Sequence, residues 1–265
     1  MINLLLKPFI QFIPENNRFE RIWKLSQVDF KRRYYNDKLG MFWAFLNPLF
    51  KIFIYYIVFV YVLDRGQDNF VLFLFAGLLL FSSFSEATNK SLNVYKSKRY
   101  LFENIQFEKI DLFVSCVISV FIGLSFNLFI YLCFVVIFGI PLSITLFYLP
   151  FLLLNLFLLS TGVSLLLSTL QIYFKDIKHV WSIVLLAGFW SSAIFFPAEQ
   201  ILDFAPYLVF LNPLIGIIEN LRIISIDGTS PNMYWMAVNY MTSFFILSIG
   251  YISFNKFSHK AIELL

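Results

Sequence analysis

Five charge-poor apolar stretches of membrane-spanning length, and a sixth interrupted once by Lys51, leave this chain little choice of fold. They run over 41–63, 70–92, 112–138, 142–170, 181–198 and 233–254. A helix needs ~20 apolar residues to cross a bilayer. Spanning segments must satisfy their backbone internally, and the alternation of barrel strands is missing, so the spans are helices. Sixteen Lys and Arg lie in 1–42, 93–111, 171–180 and 255–265, whereas the intervening loops hold two, Arg65 and Arg222. The positive-inside rule then puts both termini in the cytoplasm. The expectation is an all-α integral membrane protein with six transmembrane helices.

Apolar residues make up 60% of the chain and charged ones 14%, so nearly all of it is committed to the bilayer. No stretch outside the spans exceeds about 40 residues, which predicts a single transmembrane domain over 1–265 and no separate catalytic domain. The basic residues are spread over four segments. They suit anionic membrane lipids and form no compact patch for nucleic acid. Cys116 and Cys133 sit in one helix, roughly 25 Å apart, too far to pair, and read as small packers. His179 and His259 are isolated and no metal-ligand spacing occurs. Residues 1–13 lack the small-residue cleavage site of a signal peptide.

Asn17 followed by Glu20 opens a helix over 17–35. Its apolar residues Phe19, Ile22, Trp23, Phe30 and Tyr34 recur at helical spacing among Arg18, Arg21, Lys24, Lys31 and Arg32. That is an amphipathic interfacial helix, either a membrane anchor or a platform for a cytoplasmic partner. Lys51 either snorkels to the cytoplasmic interface or faces a wet interior. In the second stretch Ser82, Glu86 and Asn89 share one helical face and are candidates to line a channel. Glu86 also precedes Lys90 by four residues, so a plain surface pair is the competing reading. Ser160, Thr161, Gly162, Ser164 and Ser168 let helices approach closely. On the outer side, over 199–232, prolines interrupt an apolar core at 204–218, which predicts re-entrant or interfacial helices. Phe196, Pro197, Pro206, Asn212 and Pro213 are the candidates for an outer gate, with Asn212 capping the helix that Pro213 begins.

The chain has no Gly-x-x-x-x-Gly-Lys phosphate loop, no His-Glu-x-x-His and no Gly-x-Ser-x-Gly, so no catalytic residue can be named. What remains is a pore or transporter subunit whose energy source lies on another chain. Leu-Gly-x-x-Trp-Ala-x-Leu-Asn-Pro at 39–48 follows the amphipathic helix. Tyr-Phe-Lys-Asp-Ile comes at 173–177, Phe-Phe-Pro at 195–197 and Asn-Pro at 212. In this order the motifs resemble the permease subunit of ABC-2 type polysaccharide exporters, which move O-antigen, capsule or teichoic acid chains. The family usually has Phe-Pro-basic in its second cytoplasmic segment, where this chain reads Phe107-Glu108-Lys109.

The resemblance implies a non-catalytic subunit in the bacterial inner membrane. It implies two copies each of the chain and of a partner ATPase, a lipid-linked polysaccharide as cargo, and no cofactor on this chain, ATP and Mg belonging to the partner. It also implies that 17–35, 93–111 and 171–180 face the ATPase, with Arg18, Arg21, Lys24, Tyr100, Glu103, Phe107, Lys175 and Asp176 as docking candidates. A wide pore cannot be built from six helices, which favours a homodimer with the channel between subunits. The rival readings are an ABC-2 permease for a drug or haem, and a membrane-embedded lipid-modifying enzyme.

Overall fold

A computed structural model describes residues 17–34, 42–62, 69–104, 108–205 and 207–263, and every regular element among them is helical. In chain order, α1 is Arg18–Tyr34 and α2 is Phe42–Tyr56, which continues as a π-helical segment over Ile57–Val62. α3 is Phe70–Leu92, followed by the short α4 (Val94–Ser97) and α5 (Arg99–Asn104), then α6 (Ile110–Ile137). A 3-10 turn at Ile144–Tyr148 leads into α7 (Leu149–Tyr173), and α8 is Ile177–Ser191. Three short helices, α9 (Ala198–Phe204), α10 (Leu208–Leu211) and α11 (Pro213–Arg222), precede a π turn at Ile223–Asp227 and the long α12 (Met233–Glu263).

Among the described residues, four helices are long and apolar enough to cross a membrane: Phe70–Leu92, Ile110–Ile137, Ile144–Tyr173 and Met233–Phe257. The first expected span is matched by helix running unbroken over 42–62, α2 with its π-helical continuation. The fifth differs: its regular α-helix, α8, has 15 residues, about 22 Å of rise against a hydrocarbon core of ~30 Å. α8 starts four residues before the expected stretch 181–198 and stops seven before its end. There Ala193 adopts the left-handed φ of 56° and Pro197 follows, so the apolar sequence continues but the helix does not. The protein covers the freed backbone, with Ser192 through Phe195 buried and the Ile194 carbonyl accepting from Arg222.

α3 is the axis of the bundle. Its Leu72, Leu74, Phe75 and Leu80 are buried against Leu124, Leu128 and Tyr131 of α6, Leu152 and Leu156 of α7, and Ile217 and Ile218 of α11. α7 and α12 touch backbone to backbone. A Cβ on Gly162 would lie 2.6 Å from the Leu247 nitrogen, and one on Gly250 would lie 2.5 Å from the Gly162 carbonyl oxygen. Close by, Ser243 donates to Asn155 at 2.6 Å, and Ser160, Ser164 and Ser168 are all buried. The small-residue stretch in α7 is thus the seam between two long helices. Of the cysteines, Cys116 is buried and Cys133 is exposed, so the packing role expected of both fits only the first.

α1 packs on α6 in a way that hydrophobic periodicity did not suggest. Asn17 caps it as expected, accepting from the Glu20 amide at 3.3 Å. Yet Phe19 and Trp23 are exposed, whereas Arg21 is only 7% exposed. The Arg21 guanidinium grips the fully buried Asp111 carboxylate at 2.6 and 3.1 Å, and Arg18 reaches the other oxygen at 2.9 Å. Further along, Asp29 pairs with Lys98, which also donates to Ser115, and Phe30 stacks on Phe126 at 6.0 Å between centroids. The basic side of this helix is therefore partly an internal face, neutralised by acids on the spans.

Candidate functional site

A cavity of about 950 Å³ opens between α2, α3, α6 and α8. Leu78, Leu79 and Ser82 of α3 and Gly123, Leu124 and Asn127 of α6 line it, so it reaches the middle of two spanning helices. α2 supplies Trp43, Asn47 and Lys51, α8 supplies Phe189, and the end of α1 supplies Arg33. A wall this polar at that depth needs a functional reason, because unpaired polar groups inside a bilayer are costly.

Glu86 sits at the α1 side of the cavity. Its Oε1 forms ion pairs with Arg33 at 2.5 Å and with Lys90, one turn along its own helix, at 2.8 Å. The same carboxylate pairs with Lys90 and lines the cavity. Lys51 lines the same space and makes no ion pair among the described residues. Asn127 donates to the Gly123 carbonyl at 3.1 Å, but its buried Oδ1 has no hydrogen-bond partner among the described residues.

Aromatic rings stand on the outer side of this cavity. Phe189 packs edge-on against Phe81 at 5.4 Å and Phe195 at 5.2 Å, and Tyr55 meets Phe195 at 5.2 Å. Trp190 lies 5.1 Å from Phe195. The cluster joins α2 and α8 to the irregular turn after Ser191.

Beyond it the outer segment folds as short helices, and Asn212 caps α11 by accepting from the Leu214 amide at 3.2 Å. Its amide nitrogen donates to Ser192 at 2.8 Å, tying the cap to the turn. α11 is fixed, not loose. Arg222 is 3% exposed, donates to the carbonyls of Phe73 and Ile194, pairs with Glu219 at 3.1 Å, and lies 3.4 Å over the Phe73 ring. Tyr131 and Ser225 share a 2.6 Å hydrogen bond, and Thr145 donates to the Ile224 carbonyl at 3.0 Å. Asn212→Ala is expected to cost about 1 kcal/mol at the α11 start. Amide exchange over 214–218 should then quicken about fivefold where local opening governs it; unchanged exchange would mean the cap does not hold this helix.

The other sequence candidates distribute as follows. Ser82 and Glu86 line the cavity, whereas Asn89 donates to Ser85 at 3.4 Å and is not part of the wall. Arg18 is half exposed and also pairs with Glu108 at 2.7 Å, while Lys24 pairs with Glu20 on its own helix at 2.8 Å. Arg21 is buried on Asp111. Tyr100 is partly buried in a cluster with Tyr95 and Phe113, and Glu103 falls in α5. Lys175 and Asp176 are exposed in the turn between α7 and α8. Phe196 and Pro197 are half-buried after the turn, and Pro213 is buried at the start of α11. Phe107 and Pro206 lie outside the described residues. Sequence reasoning missed Arg33, Asn47, Asn127 and Phe189 in the cavity wall. The one available signal was a lone amide, Asn127, inside an apolar stretch.

The family model for the ABC-2 type transporter matches residues 20–226. The chain is similar to an O-antigen export system permease protein, RfbA, of Klebsiella pneumoniae, at 24% identity over 248 residues, 93% of this chain and 95% of that one. It is 24% identical over 210 residues to the RfbA permease of Myxococcus xanthus, covering 78% and 81% of the two chains. It is also 26% identical over 230 residues to the polysialic acid transport protein KpsM of Escherichia coli, covering 83% and 86%.

Proposed function

This chain belongs to the ABC-2 type transporter family, and we propose that it is the permease subunit of an ATP-driven exporter of a lipid-linked polysaccharide. The observation that carries the reading is the polar cavity at mid-span depth, too wide and too hydrophilic to be ordinary packing. The relatives named as O-antigen and polysialic acid transporters support a glycan as the cargo. Two copies enclose the channel, each a single domain crossing the bacterial inner membrane six times with both termini in the cytoplasm. Two copies of a partner ATPase bind ATP and Mg.

In this reading α1 lies at the cytoplasmic interface, with its exposed edge at Arg18 and Lys24 available to the ATPase. The α7–α8 turn with Lys175 and Asp176 is a second docking point. The ring cluster around Phe189 and Phe195 closes the cavity toward the outside, and α9 and α10 form the movable part of the outer lid above the fixed α11. Aromatic faces suit a sliding sugar chain because they give contact area without strong directional bonds.

The test is reconstitution. The purified chain alone is expected to show no ATP turnover, and to change the turnover of its ATPase when the two are co-purified. Asp176→Lys should weaken that association, by several kcal/mol if the carboxylate is buried at the contact and little if it lies at the rim. ATP hydrolysis by the chain alone at a transporter's rate would sink the permease reading.

A further inference from the structure

Charge in the cavity wall is unbalanced. Arg33 and Lys51 bring two positive charges and Glu86 one negative charge, and Glu86 is already shared with Lys90. Lys51 is thus an unpaired cation, among the described residues, on a wall that reaches mid-span depth. An ammonium held there is stabilised by an anion far more than it would be in bulk water, because fewer water dipoles screen the pair. The wall also carries the side chains of Asn47 and Ser82, which can exchange hydrogen bonds with hydroxyls. Trp43, Phe81 and Phe189 add flat apolar surface. A group that answers all three features carries a negative charge, hydroxyls and a ring face together.

We infer that the cavity is selective for acid-bearing sugar units, with Lys51 reading the acid and Asn47 and Ser82 bonding to hydroxyls. This rests on the glycan-export reading above and narrows it to chains that carry carboxylate or phosphate. Lys51 is a specificity-determining residue. It makes a neutral glycan the poorer ligand because a neutral sugar leaves the ammonium without a counter-charge. The Arg33–Glu86 pair is not consumed by the ligand. It keeps Arg33 occupied, so the single excess charge is the one on Lys51.

Binding to the full chain co-purified with its ATPase tests this with three probes. They are a fluorescent sialic acid hexamer, fluorescent maltohexaose of the same length without charge, and phosphatidylglycerol in mixed micelles as the lipid source of the same anionic chemistry. The sialic acid hexamer is expected to bind about tenfold tighter than maltohexaose at low salt, with the gap narrowing as salt rises. Lys51→Gln should bring the two oligosaccharides to within about twofold of each other. Lys51→Arg should keep the preference, which shows that the site still folds with a charge there. Equal binding of both oligosaccharides to the unaltered protein overturns the inference and leaves glycan export standing. Binding of neither overturns both. Lys51-dependent binding of phosphatidylglycerol without the hexamer overturns the sugar assignment in favour of a lipid site.

Discussion

Asp111→Ala is expected to cost the protein about 3–5 kcal/mol of stability, because it strands a buried guanidinium. Asp111 is fully buried and Arg21 nearly so, and the carboxylate takes both Arg21 nitrogens and the Arg18 Nε. With the carboxylate gone, Arg21 loses the acid it grips while remaining almost wholly out of water. The unfolding midpoint of the detergent-solubilised protein should fall by roughly 6–20 °C. The double change Asp111→Leu with Arg21→Met removes the charge along with its partner and is expected to recover most of the loss, since apolar replacements of a whole buried pair are often close to neutral. An Asp111→Ala protein that melts with the unaltered one would mean that Arg21 escapes to solvent at little cost.

Gly162→Ala is expected to be nearly as damaging, through geometry alone. The new methyl would meet the Leu247 nitrogen at 2.6 Å and its Cα at 2.7 Å, and both are backbone atoms of a long helix that cannot rotate aside. α7 and α12 must separate along the seam, which forfeits the contacts of Ser243 with Asn155 and of Gly250 with Gly162. The expected loss is about 3 kcal/mol, the upper end of what one added carbon costs in a packed interior. Gly188→Ala is the matched control. Its Cβ would find the Phe81 ring at 3.6 Å, ordinary contact, and alanine is the better helix former. Thermal melts of the two variants side by side decide the matter, and equal midpoints would show that the seam yields freely.

The sequence showed the spanning helices best where apolar runs end at hard boundaries. The stretch 70–92 became α3 to the residue, because Asn69 and Asn93 flank it and charge is confined to its last two turns. The fifth stretch misled because hydropathy reports what avoids water and not which partner covers it. Residues 193–195 are apolar because protein buries them, and Ala193 could not stay helical in a left-handed conformation. Asn212 was legible because capping is local, reaching only two residues along its own chain. The clamp of Arg21 on Asp111 joins residues 90 apart, and the cavity wall gathers side chains from five helices. No periodicity within one helix encodes which distant acid will face a given arginine. Basic residues on α1 therefore looked like a surface when one of them was a foundation.

Arg222 also sets a schedule for how the molecule is built. Its acceptor on α3, the Phe73 carbonyl, lies 149 residues earlier in the chain. At about 5–20 residues per second of synthesis, Phe73 is made roughly 7–30 s before its pin arrives. During that interval the Phe73 end of α3 has only its early neighbours. Packing of α11 against α3 is therefore a late event in the making of the molecule. A ribosome stalled between α8 and α11 would leave the apolar turn after Ser191 inserted without the guanidinium that its Ile194 carbonyl requires. That intermediate is the form in which membrane quality control would meet this protein unfinished.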